Sequence, residues 1–123
     1  PEQFLDALDP ENIAPIVDYH MMRICLRTGL VHIADPDLSK RINARQWVDG
    51  VEEMVIRRTT AHALTKLAAA TECSIAAIDG LFFTVGRTHC LETEEPHCYR
   101  CPLRTACAQQ TARFQPVFRT TAY

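Results

Sequence analysis

Lysine is nearly missing from this chain. Lys40 and Lys66 are the only two against 11 arginines, and the 123 residues carry a formal charge of −2. That balance excludes the broad basic surface of an indiscriminate nucleic-acid binder, although a local arginine face remains compatible with it. No apolar run approaches the roughly 20 residues of a membrane span, and no signal-peptide pattern opens the chain. The expectation is therefore a cytoplasmic protein with no membrane association. No segment of useful length carries a strand signal, and there is no internal repeat or low-complexity tract. The apolar fraction of 47% is ordinary, and the length suits one small domain or part of one. The first residue is Pro1 rather than Met, which leads us to expect a chain that continues upstream or has been cut.

What is present reads as helix. A short amphipathic piece spans Gln3 to Leu8, and Asp9-Pro10-Glu11 is a helix-start signal with proline in the first turn. Pro15 interrupts, and Ile16-Val17 read as buried and extended or turn-like. Asp18 is an N-cap candidate for a helix through Thr28, stopped by Gly29. Its Met21, Met22, Cys25 and Leu26 cover a broad face, with Arg23 and Arg27 opposite, and Cys25 is expected in the core. Asp35-Pro36 should start a short helix to about Ile42. A further segment runs from Ala44 to Asp49 with Trp47, the one tryptophan, as a core anchor. The longest helix is expected from Val51 to about Ala70. Val51, Met54, Ala61 and Ala68 share one face of it, Leu64 lies at the edge, Arg57 and Arg58 reach outward, and His62 is an ordinary histidine. Ser74 can cap a helix from Ile75 to Val85, closed by Gly86, with Ile75, Ile78, Leu81, Phe82 and Val85 as a core stripe. The fold class expected is all-α.

Four of the six cysteines lie within Cys90 to Cys107, spaced C-x7-C-x2-C-x5-C, and Pro102 can start a short helix carrying Cys107. Structural cysteines scatter along helices as small hydrophobes, so this density needs another reason. Without a secretory signal, clustered cysteines favour metal binding in a reducing compartment over disulfides. Spacing alone leaves two centres open. Zinc is one, on Cys98-x2-Cys101 plus Cys107 and one of Cys90, His89 or His97. An iron–sulfur cluster on all four thiolates is the other.

Two separated motifs carry a resemblance. Gly86-Arg87-Thr88-His89-Cys90 followed by Cys98-x2-Cys101-x5-Cys107 resembles the iron–sulfur end of the endonuclease III-like branch of the helix–hairpin–helix DNA glycosylase superfamily. There a Gly-Arg-x-x-Cys leads into C-x6-C-x2-C-x5-C. Upstream, Val17-Asp18-Tyr19-His20-Met21-Met22-Arg23-Ile24 is similar to that family's Val-Asp-Thr-His-x-x-Arg-Val segment, in which the aspartate is catalytic. The resemblance covers roughly residues 16 to 107. It implies a [4Fe-4S] cluster on Cys90, Cys98, Cys101 and Cys107, and Asp18 as the carboxylate that stabilises a cation-like sugar while a base leaves. It places a helical part over 1–89 ahead of the cluster loop at 90–107, while the tail over 108–123 reads as irregular because it lacks a clear period.

The chain departs from the family pattern in three places. No glycine precedes Gly29 and no lysine precedes Lys40, so the glycine-rich hairpin that clamps DNA backbone and the lysine of bifunctional members are both lacking. The stretch from Asp18 to Cys90 is longer, with extra helix around 35–60. Glu92, Glu94 and Glu95 stand between the first two cysteines, where carboxylates oppose phosphate contact; Arg87, Arg100, Arg104 and Arg113 could offset them. Two readings follow. The first is a base-excision glycosylase-like chain, with DNA or another nucleic acid as partner and a missing N-terminal half supplied by the same gene or a partner chain. The second is a non-catalytic iron–sulfur or zinc module that binds protein or nucleic acid.

Overall fold

The computed structural model describes residues 12–113. The pieces expected at 3–8 and 9–11, and the tail from 114, lie outside the described residues. Four helices follow in order: α1 (Tyr19–Thr28), α2 (Pro36–Asn43), α3 (Gly50–Thr71) and α4 (Ile75–Thr88). A 3₁₀ turn at Cys98–Arg100 comes last, and the described residues contain no strand. The all-α expectation holds for them. No single helix among them is long and apolar enough to cross a membrane.

Helix α1 is the axis. Asp18 accepts a hydrogen bond from the Met21 N–H at 2.9 Å, and Gly29 ends the helix at φ 81°, as the cap-and-glycine signals require. Seven consecutive residues, Met21 to Arg27, are buried. Helices α3 and α4 pack on it and on each other. Burial reaches the two arginines, each 1% exposed, so the side of α1 opposite Met21, Met22, Cys25 and Leu26 is enclosed as well. A helix wrapped on every side has no outer face, so their guanidinium groups must find partners inside.

Cap chemistry fixes the other helices. Asp35 accepts from the Asp37 and Leu38 N–H groups ahead of α2. Asp49 and Glu52 form a reciprocal capping box at the start of α3. Ser74 accepts from Ala77 N–H at the start of α4.

Several expectations fail for identifiable reasons. Ala44 to Asp49 is a connector, not a helix. Arg45 sits at φ 55° and closes the chain back on Ile42, which leaves Trp47 51% exposed and only Val48 buried. Ile16 is likewise exposed, and Val17 alone of that pair packs against the core. The buried stripe of α3 is Ile56, Thr60 and Leu64, while Val51 and Met54 face outward. At about 1.5 Å per residue α3 is roughly 33 Å long against about 15 Å for α1, so its first turns overrun the core they were expected to join. His62 is exposed, as an ordinary histidine would be.

Gly86 does not close α4, which continues to Thr88. It is buried where α1 crosses, and a Cβ there would meet Arg23 Nη2 at 3.4 Å and Ile24 Cδ1 at 3.5 Å. In the core stripe of that helix Ile78, Phe82 and Val85 are buried, and Leu81 is exposed. Residues 102–106 form turns instead of the helix expected after Pro102.

Candidate metal centre

Helix α4 delivers the first cysteine. The Cys90 N–H donates to Val85 O at 2.8 Å, so Cys90 is held against the last turn of the helix. The chain then loops out and returns, closed by His97 N–H to His89 O at 2.7 Å. Cys98 opens the 3₁₀ turn and Cys101 closes it, its N–H donating to Cys98 O at 3.2 Å. Successive turns carry the chain to Cys107, and Ala108 N–H and Gln110 N–H donate to Thr28 O and Arg27 O, each at 2.9 Å. Those carbonyls are the orphan acceptors at the end of α1, so the start of the expected irregular tail is the strap that fastens the loop to the helix.

All four thiols, together with Ile24, Arg27, Val85 and His89, line one cavity of about 30 Å³. A site holds a water once it offers roughly 10–15 Å³, so this one has room for about two. Among the described residues no three His, Cys, Asp or Glu side chains draw together as ligands of a single ion would. The thiols nonetheless feel one another. Burial pushes the Cys98 thiol up, and the negative charge of Cys90, Cys107 and Cys101 pushes it further. Cys107 is also raised by burial, while a hydrogen bond from Gln109 N–H to its sulfur at 3.3 Å acts the other way. His89, an alternative fourth zinc ligand, has its Nδ1 2.6 Å from Thr88 Oγ1.

Arg27 supplies positive charge at the cavity wall. Its Nη1 donates to Cys90 Sγ at 3.5 Å and to Leu91 O at 2.7 Å, and its Nε donates to Arg113 O at 3.0 Å. Arg23, one turn earlier, donates to Gly86 O at 3.0 Å and pairs with Glu92 at 3.5 Å. Burial and the neighbouring Arg27 lower the Arg23 guanidinium, and Cys90 and Glu92 act in the opposite direction. One of the three acidic loop residues therefore faces inward onto a buried arginine, while Glu94 and Glu95 remain exposed. Sequence reasoning missed both arginines as parts of the site. The available signal was the Arg-x-x-x-Arg pair within Met21–Arg27, a run whose other five residues are apolar.

Asp18 stands at the opposite end of α1 from the thiols. Nine residues separate it from Arg27, about 14 Å of helix rise. The other members of this second cluster come from α1 and α4. The His20 ring stacks at 4.1 Å on Tyr19 and meets Phe83 edge-on at 6.4 Å. Burial is the main cause that lowers His20, with Arg23 adding to it and Asp18 opposing. Asp79 of α4 is raised by burial and by the charge of Asp18. Tyr19 is raised by burial, then by Glu92. The five residues expected to carry chemistry thus fall in two groups, the four cysteines together and Asp18 apart, joined by one helix. Cys25, buried beneath them with its thiol pushed up to about 12 by burial, belongs to neither.

No family model, no curated protein and no solved structure matches this chain.

Proposed function

We propose that this chain is the cluster-bearing, aspartate-bearing part of a nucleic-acid N-glycosylase of the endonuclease III-like kind, with a [4Fe-4S] cluster held by Cys90, Cys98, Cys101 and Cys107. The observation that carries the proposal is the single cavity lined by all four thiols, walled by an arginine of the helix that Asp18 begins. Zinc on the same thiolates is the competing centre. The donor set fits a cluster, because four thiolates bring excess negative charge that Arg27 and the Gln109 N–H offset at Cys90 and Cys107. When bound, the cluster would hold the loop to α1 and so fix the helix that carries Asp18.

Asp18 is assigned the charge-stabilising role. A carboxylate that caps a helix N-terminus is held in place by its backbone hydrogen bond, and a fixed acidic side chain is what a cation-like sugar requires beneath it. Burial and the charge of Asp18 raise the carboxyl of Asp79, so a second acidic side chain lies at the same end of the seam between α1 and α4. The target base would have to be turned out of the stack to reach them. The missing half is assigned the hairpin that grips the backbone.

The decisive substitution is Asp18→Asn in the intact protein. Asparagine caps a helix as well as aspartate does, so the fold should persist while base release falls by at least about 100-fold. Unchanged release would end the assignment. A second reading, a cluster module without catalysis, draws on the exposed Glu94 and Glu95, which would repel a phosphate backbone. The coding sequence upstream of Pro1 separates the two: a glycine-rich hairpin favours the enzyme, an adjacent start codon the module.

A further inference from the structure

Beside Asp18, α4 presents Asp79, Phe83 and Arg87 at intervals of four residues, one stripe along the helix. Phe83 is 44% exposed, with its edge on the His20 ring. The Arg87 guanidinium lies over the Phe83 ring, 4.4 Å from its centroid. Arg87 is exposed and has no carboxylate or carbonyl partner among the described residues. Stacking fixes the plane of the guanidinium while its N–H donors remain unspent, and a fixed fork of donors is the geometry that grips a phosphate. Tyr19 and His20 both feel the Asp18 carboxylate and the Arg87 guanidinium, so both charges lie near these two rings. His20 adds an Nδ1 that is buried without a hydrogen-bond partner.

From this arrangement we propose that Arg87, oriented by Phe83, binds a phosphodiester of the nucleic-acid substrate next to the sugar that Asp18 serves. The inference rests on the glycosylase reading and adds to it the residue that takes the flanking phosphate. A nucleotide laid along the stripe puts its phosphate at Arg87, its sugar over the Tyr19–His20 pair and its glycosidic bond towards Asp18. The acids near this path are Asp18, Asp79 and Glu92, and Glu92 is already paired with the buried Arg23. The sugar thus separates the phosphate from the two acids that remain, Asp18 and Asp79.

The test is binding of the intact protein to a fluorescein-labelled oligonucleotide, single-stranded or duplex, carrying one tetrahydrofuran abasic analogue, measured by anisotropy across a salt series. Each phosphate contact contributes about −0.9 to the slope of log affinity against log salt on duplex DNA and about −0.7 on a single strand. Arg87→Ala should reduce the steepness by about one contact and weaken binding several-fold at every salt concentration. Arg87→Lys should keep the slope, and Phe83→Leu should weaken binding with the slope retained. Because Arg87 is exposed, its replacement should leave the helical circular-dichroism spectrum unchanged. An Arg87→Ala protein with wild-type affinity and slope would overturn this inference while leaving the glycosylase reading intact. A wild-type protein that binds neither oligonucleotide would overturn both.

Discussion

Arg27 donates to three acceptors in two separate stretches of chain: Cys90 Sγ with the adjoining Leu91 O, and Arg113 O at the far side of the cysteine loop. Its own carbonyl accepts from Gln110. One buried side chain therefore ties both ends of the loop to α1. In Arg27→Gln the shorter amide cannot reach these partners, and each buried group left without one costs roughly 1–3 kcal/mol. The expected loss is about 2–4 kcal/mol in urea unfolding, with the cysteine loop becoming the most protease-sensitive part of the described chain. Gly29 is the second such position. At φ 81° a side chain is strained, and its Cβ would stand 2.9 Å from Ala108 Cβ, on the strap itself. Gly29→Ala should cost roughly 1–3 kcal/mol. Gly80→Ala, in the interior of α4 with nothing within 4 Å, should gain about 0.5–1 kcal/mol. Thermal unfolding of the pair checks that the first loss comes from conformation and crowding, not from glycine content.

At the scale of elements, α2 and α3 are joined by a side-chain pair with a pH signature. Glu52 accepts from Arg41 through both carboxylate oxygens, one at 2.9 Å, and from Asp49 N–H at 3.0 Å. These bonds, Arg41 first and the Asp49 backbone second, hold its carboxyl down to about 2, from 4.5. A depressed carboxyl stabilises the fold fully above its unfolded value. That contribution is lost as pH falls from 4.5 through about 2. Stability measured down that range should fall less steeply in Glu52→Gln than in the natural chain; equal slopes would contradict the assignment. Much of this architecture was legible beforehand, because caps are local chemistry: Asp18, Asp35 and Ser74 lie where a helix begins, whereas the Asp49 cap went unread. The faces were less legible. Val51 and Met54 fit an apolar period as well as Ile56 and Leu64 do, and only the short length of α1 decides which of them meets a partner. Gly86 reads as a stop signal in isolation, yet the crossing of α1 explains it better. The burial of the α1 arginines was hard to read for a related reason. Period assigns a polar residue to the polar side, and a helix enclosed on all sides has none.

On the scale of the whole molecule, α1 has a candidate catalytic carboxylate at its N-cap and a cation at the thiol cavity near its last turn. The cysteine loop contributes little core of its own: Cys90, Cys101 and Leu103 only pack against a core built by α1, α3 and α4. A loop of that kind would gain order from the proposed cluster, which would couple binding to local folding. The four cysteines were visible in sequence from spacing alone. Their shared cavity, the inward turn of Glu92 and the guanidinium on Cys90 required the packing of α1 against α4, which no local pattern encodes. The identity of the proposed centre is therefore the claim to test. Anaerobic purification followed by iron, sulfide and zinc analysis with an absorption spectrum tests it most directly. The prediction is about four iron and four sulfide per chain, with a visible charge-transfer band that is lost in Cys101→Ser. Stoichiometric zinc with no iron and no visible band would contradict it.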